Sequence, residues 1–89
     1  MAEAELNDAA HYYDQESEGL GGAFLTEVRR VTDSLLDFPS SGVIVRDELR
    51  RRLVARFPYG VIYRVSEDYI RILAIANLRR RPFYWTSRR

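Results

Sequence analysis

Three arginines, a proline and three aromatic residues stand together near the end of the chain, in the stretch LRRRPFYW from Leu78 to Trp85. A guanidinium group can bind a carboxylate or a phosphate through two parallel hydrogen bonds, and it also stacks on aromatic rings. The stretch therefore suits recognition of a nucleic acid, contact with an acidic protein, or stabilisation of negative charge in a reaction. Which of these functions applies depends on the helices and strands that position these side chains.

The arginines belong to a strongly polarised charge distribution. Residues 1–45 carry two arginines and nine carboxylates, a net charge of −7, whereas residues 46–89 carry twelve arginines and four carboxylates, a net charge of +8. All fourteen cationic residues are arginine. The formal net charge of +1 hides this asymmetry, which favours an anionic partner for the C-terminal half.

The composition excludes several classes of protein. The chain has no cysteine and a single histidine, so disulfides and thiolate sites are excluded, and we expect no metal and no cofactor. The N-terminus lacks the pattern of a secretory signal, and no apolar run approaches the roughly 18 residues of a membrane span, so we expect a cytoplasmic protein. Eighty-nine residues predict one domain, residues 1–89.

Hydrophobic periodicity predicts a helical hairpin over about residues 2–37. Apolar residues recur at intervals of three and four in two segments, one from Ala2 to Glu16 and one from Leu20 or Gly21 to Asp37. The second segment has the stronger pattern, formed by Leu20, Phe24, Val28, Val31 and Leu35. The glycine-rich link between the segments is short, which makes the two helices antiparallel.

Beyond Gly42 the period changes to two, which predicts an antiparallel sheet over about residues 43–77. Three strands are predicted, Leu49–Arg56, Tyr59–Ser66 and Tyr69–Asn77, with the last and most apolar in the centre. Arg51 falls on the apolar face of the first strand, which predicts a bulge or an edge position there. Helices followed by strands indicate an α+β fold, with the hairpin packed on one face of at least three strands and a basic aromatic tail over residues 78–89.

Four segments in this order resemble the RelE/ParE superfamily of bacterial type II toxin–antitoxin toxins, most closely its ParE, or plasmid-stabilisation, branch. They are AA-x-YY at Ala9–Tyr13, GLG-x-x-FL-x-EV at Gly19–Val28, ARFPYGVIYRV at Ala55–Val65 and RRRP-x-YW at Arg79–Trp85. The resemblance implies the same hairpin-on-sheet fold and a growth-inhibiting toxin, neutralised by an acidic antitoxin in a hetero-oligomer. The ParE branch is associated with poisoning DNA gyrase, and the RelE branch with cleaving mRNA on the ribosome.

Two features depart from the family pattern. Relatives usually have a strand before the first helix, and here it is missing, either through a shortened start or through natural variation. A sheet without that strand has an edge to which another chain could add, so we expect the isolated protein to be poorly stable or to associate. In addition, Asn77 and Leu78 stand where many relatives have a histidine and a polar residue.

The residues favour inhibition by binding over catalysis. RNA cleavage through attack by the 2′-hydroxyl requires a proton acceptor and a proton donor, for which arginine is a poor choice. Asn77 does not titrate, and His11 lies far from the arginines in sequence. Because ribonucleolytic relatives use a C-terminal tyrosine or histidine, the resemblance makes Tyr84 the one catalytic candidate in the tail. For Phe83 and Trp85 we favour packing against the hairpin, which would hold the tail in place, whereas for Tyr84 packing and catalysis both stay open.

The predicted binding surface combines two groups of arginines with Tyr84. The groups are Arg50, Arg52 and Arg56 on the first predicted strand, and Arg79, Arg80 and Arg81 in the tail. This surface would serve target and antitoxin together, antitoxin alone, or solubility. Three functions remain open: a toxin that binds and inhibits gyrase, a RelE-type ribosome-dependent endoribonuclease, and an inactive homologue that retains antitoxin binding.

Overall fold

The computed structural model describes residues 2–88, and Arg89, the last residue of the predicted tail, lies outside the described residues. Two helices, α1 (Ala2–Glu16) and α2 (Leu20–Asp37), precede four strands. The strands are β1 (Val43–Arg46), β2 (Leu49–Leu53), β3 (Tyr59–Val65) and β4 (Ile70–Asn77), and a short 3-10 helix, η1 (Tyr84–Arg88), follows. The predicted α+β class is confirmed, and both helices have the bounds that the periodicity predicts.

The helical hairpin closes through two glycines with different tasks. Gly19, before α2, has φ +84°, a left-handed conformation that glycine adopts without steric cost. Gly21 lies so close to α1 that a methyl group there would overlap the carbonyl oxygen of Ala10. The backbone N–H of Gly21 also donates to Asp14 Oδ1 at 2.8 Å, which satisfies one of the free donors in the first turn of α2.

The strands form an antiparallel meander in the order β1-β2-β3-β4, so β2 and β3 are the inner strands of the described sheet. The prediction that β4 is central is wrong. Its apolar sequence has another cause, because both of its faces are covered: Ile75 joins the core on the helix side, and Ala74 and Ala76 join a second cluster on the opposite side. The strand β1 was not predicted, since it is four residues long and its Val43 and Ile44 are exposed.

The prediction of a bulge or an edge at Arg51 is also wrong. Arg51 pairs regularly with Ile62 on an inner strand, and the irregularities lie in β1 and at the Ile62/Tyr63 step of the β3–β4 ladder. An arginine fits this apolar position because its aliphatic stem passes over Gly60, where an added Cβ would lie 2.9 Å from Arg51 Cγ.

The sheet has an apolar cluster on each face. On the helix side, Phe24 and Val28 of α2 pack with Val61 and Ile75 of the sheet. On the opposite side, Phe83 and Trp85 pack with Ile62 and the alanines of β4. The prediction that Phe83 and Trp85 pack against the hairpin is therefore wrong, because the tail crosses to the open face. Neither helix in residues 2–88 is long and apolar enough to cross a membrane.

Candidate functional site

The open face of the sheet carries a cavity of about 310 Å³. Its floor is formed by residues of the sheet, including Ile62 and Ala76, and the segment from Leu78 to Trp85 closes it on one side. The charged side chains that line it are Arg51, Arg80 and Arg81, and none of the twelve lining residues is acidic. The cavity therefore joins apolar walls to guanidinium groups, a combination that suits an anion carrying an apolar stem.

Among the arginines that line this cavity, Arg51 has a buried guanidinium nitrogen without a hydrogen-bond partner among the described residues. This nitrogen is Nε, and within residues 2–88 no carboxylate forms an ion pair with Arg51. A buried donor of a charged group without an acceptor costs about 1–3 kcal/mol or more. An acceptor supplied by a ligand would recover part of this free energy.

The neighbours of Arg51 on β2 are held in place by the loop before β1. Arg50 Nη1 donates to the carbonyl oxygens of Ser40 at 3.2 Å and Gly42 at 2.8 Å. Arg52 Nη1 donates to Ser41 Oγ at 2.6 Å. The cross-strand pairing places Arg50 and Arg52 on the helix side of the sheet, opposite to Arg51. These two predicted site residues thus anchor a loop and do not line the cavity.

The remaining predicted arginines gather at one end of the sheet. Leu78 N–H donates to Pro58 O at 2.9 Å, which brings the tail beside the β2–β3 turn that carries Arg56. Of the three tail arginines, Arg80 and Arg81 line the cavity. Arg79 does not line the cavity; burial raises the pKa of Tyr13 on α1, and the charge of Arg79 opposes this rise.

Two guanidinium groups lie on the aromatic rings of the tail. Arg46 Cζ is 3.7 Å from the centroid of the Phe83 ring, and Arg80 Cζ is 4.0 Å from that of Tyr84. These are cation–π contacts, which fix the cations while leaving their N–H edges available. Phe83 has φ +60°, a strained conformation for a bulky residue that turns the chain after Pro82 into η1.

The outer edge of β4 is partly covered by side chains. Tyr84 Oη accepts the backbone N–H of Asn77 at 2.8 Å, and Glu5 Oε1 of α1 accepts that of Ile75 at 3.1 Å. The unpaired edge predicted to accept another chain is therefore partly satisfied from within. Poor stability or association of the isolated protein stays a prediction.

A second cavity, of about 230 Å³, lies on the α1 side of Tyr84. It brings the carboxylates of Glu5 and Asp8 beside Arg80 and Tyr84. Tyr59 also lines it, and burial raises the pKa of its phenol, with smaller contributions from neighbouring tyrosines that outweigh the opposing charge of Arg80. Sequence reasoning missed both carboxylates because α1 is distant from the tail along the chain.

The family model for the ParE toxin of the type II toxin–antitoxin system parDE matches residues 1–82. The chain belongs to the ParE toxin family. It is accordingly a type II toxin–antitoxin toxin, and its family implies an antitoxin partner. No curated protein and no solved structure matches the chain. The match includes Arg79–Arg81 and ends at Pro82, before the aromatic residues that close the cavity.

Sequence reasoning named two of the three arginines that line the first cavity and missed the third, Arg51. The sequence did mark Arg51, because it is a charged residue at a position of the apolar face of its predicted strand. The alternation of apolar and polar residues along β2 does not reveal Gly60 on the neighbouring strand. The absence of a side chain at Gly60 makes room for the stem of Arg51.

Proposed function

We propose that this ParE family toxin acts in the cytoplasm by binding DNA gyrase and not by catalysis, and that an acidic antitoxin silences it by covering the same arginines. The observation that carries the proposal is the composition of the first cavity. Arg51, Arg80 and Arg81 converge there without an acidic neighbour in the lining, so the site attracts anions.

The chemistry of the lining favours binding. Cleavage of a phosphodiester requires a group that accepts a proton near neutral pH, and the lining of the first cavity contains no histidine and no carboxylate. Tyr84 remains the one titratable group there besides the arginines, and its hydroxyl already accepts a backbone hydrogen bond. Such a site stabilises negative charge well and transfers protons poorly.

The second cavity supports a second candidate, a RelE-type endoribonuclease. There Asp8 is an exposed carboxylate that shares a cavity with Tyr84 and Arg80, so a proton acceptor, a hydroxyl and a cation are combined. Glu5 is less suited to the role of base, since its carboxylate holds the N–H of Ile75. This candidate predicts that Asp8→Asn and Tyr84→Phe each abolish cleavage.

Two assays on the same purified toxin separate the candidates. We expect the protein to inhibit ATP-dependent supercoiling by gyrase and to leave mRNA intact in a translation-coupled cleavage assay. The double variant Arg80→Gln, Arg81→Gln should lose most of the inhibition. The matched control is Arg29→Gln, Arg30→Gln, which removes the same charge from the exposed face of α2. Equal inhibition by both double variants would refute the arginine surface, and mRNA cleavage that Asp8→Asn abolishes would establish the second candidate.

Expression in bacteria without a partner tests the toxin assignment itself. We expect growth arrest, relieved by co-expression of a cognate acidic antitoxin. The purified complex should dissociate more readily as salt is raised, because arginine–carboxylate pairs are screened. Normal growth of cells that accumulate folded protein would leave only an inactive homologue that binds an antitoxin.

A further inference from the structure

The cavity on the open face has a size and a lining that select one kind of ligand group. A volume of about 310 Å³ is at the lower end of the range for small-molecule sites, about 300–1,000 Å³. Its apolar lining includes Val45, Ile62, Ala76 and Pro82. This space accommodates one side chain with an aliphatic stem and an anionic end.

The aromatic rings around the cavity are not available for stacking with a nucleobase. Arg46 lies on the ring of Phe83, and Arg80 lies on the ring of Tyr84. Trp85 is 7% exposed and belongs to the cluster beneath the tail. Binding of single-stranded nucleic acid usually depends on open aromatic faces, on which bases stack. The geometry therefore favours a carboxylate on a flexible stem over a nucleotide.

Arg51 is the group best placed to hold that carboxylate. Arg50 and Arg52 already donate to the loop before β1, whereas Arg51 Nε has no acceptor among the described residues. A guanidinium that turns towards a bound carboxylate would therefore give up no hydrogen bond of Nε. Its planar fork matches a carboxylate through two parallel hydrogen bonds. The stem of Arg51 passes over Gly60, where a side chain would collide with it.

We propose that this cavity is a receptor for a single glutamate or aspartate side chain of a protein partner, held by Arg51 with Arg81 at the rim. The proposal rests on the proposed function for the source of the side chain, the acidic antitoxin, but its chemistry can be tested without that protein. It adds Arg51, which the predicted surface omitted, as the residue that gives the surface a defined anchor point.

The test is an NMR titration of the full chain labelled with ¹⁵N, with the Nε–Hε signal of Arg51 as the readout. The probes are acetyl-Leu-Glu-Leu-amide and its glutamine counterpart, together with inorganic phosphate and uridine monophosphate. We expect the glutamate peptide to shift the Arg51 signal and to bind at least tenfold more tightly than the glutamine peptide. Phosphate and uridine monophosphate should bind more weakly than the glutamate peptide.

Variants identify the residue responsible. Arg51→Gln should abolish the preference for glutamate, and Arg51→Lys should reduce it, since lysine keeps the charge but lacks the fork. Arg71→Gln is the matched control: Arg71 is exposed on the same face and does not line the cavity, so affinity should change less than twofold. The dispersion of the ¹⁵N–¹H spectrum shows whether each variant is folded, and the wild-type signal tests the site without any variant.

Several results would overturn the proposal. Equal affinity for the two peptides would exclude a carboxylate receptor, as would an Arg51 signal that no probe shifts. Tighter binding of uridine monophosphate would indicate a nucleic-acid site. None of these results would decide whether the toxin inhibits gyrase, so failure of this proposal is distinct from failure of the proposed function.

Discussion

Replacing Tyr84 by phenylalanine removes one oxygen atom and separates two roles of the residue. The hydroxyl accepts the backbone N–H of Asn77 at 2.8 Å, while the ring packs under the Arg80 guanidinium at 4.0 Å and stays in the variant. An unsatisfied buried donor costs about 1–3 kcal/mol. Since Asn77 is half-buried, water can partly replace the hydroxyl, and we expect a loss near the lower end, about 1–1.5 kcal/mol.

Thermal denaturation followed by circular dichroism measures this loss. For a domain of this size it corresponds to a fall in Tm of about 4–12 °C. Tyr69→Phe is the control, because Tyr69 is 59% exposed and its loss of a hydroxyl should leave Tm nearly unchanged. If the two variants have the same Tm, the hydroxyl of Tyr84 does not secure the edge of β4. If Tyr84→Phe keeps its stability and its affinity for gyrase but loses toxicity, the hydroxyl takes part in chemistry, and the reasoning for a binding toxin fails.

Four further variants, one of them a control, test the fold that positions the site. Tyr63→Phe removes a hydroxyl that bonds two backbone groups of the loop before β1, and urea denaturation should show a loss of about 1–3 kcal/mol. Gly21→Ala should lower the free energy of unfolding by about 2–3 kcal/mol, because the new methyl group overlaps α1. Gly22→Ala is the control: its methyl group enters open space, so the same assay should show no loss or a gain of stability. Because burial raises the pKa of Tyr59, the folded state favours its neutral form. The contribution of Tyr59 to the free energy of unfolding should be complete below the usual tyrosine pKa of about 10 and should be lost as the pH rises beyond it. The free energy of unfolding should therefore fall less steeply with pH in Tyr59→Phe.

The helical hairpin could be predicted in full because its signal is local. The spacing of Phe24, Val28 and Val31 reports one buried face, and that face is the core in the structure. The glycines at 19 and 21 also predict the end of the first helix. The close approach of Gly21 to α1 is a contact between two helices, which the sequence does not show. Period and turn chemistry are properties of neighbouring residues, so the sequence contains them directly.

The place of β4 in the sheet and the lining of the cavity depend on contacts between distant segments, and the prediction of β4 as the central strand was wrong for this reason. The apolar strand β4 was placed in the centre because a strand covered on both faces has the same pattern wherever it lies. The tail covers the second face of β4, and the tail has no hydrophobic periodicity from which its position could be predicted. Likewise, the place of Arg51 is decided by a glycine on the next strand, and that of Asp8 by the packing of α1 beside the tail.

The proposed overlap of target and antitoxin surfaces has a physical consequence for neutralisation. If both partners place carboxylates on Arg51, Arg80 and Arg81, binding of one excludes the other, and the toxin is silenced by competition without any change of shape. The amount of active toxin then depends on the ratio of the two dissociation constants and on antitoxin concentration. Removing one of these charges weakens both complexes, so the ratio of the two dissociation constants changes less than either constant alone. Arg50 and Arg52, which hold the loop before β1, lie outside this competition, and their loss acts through stability instead.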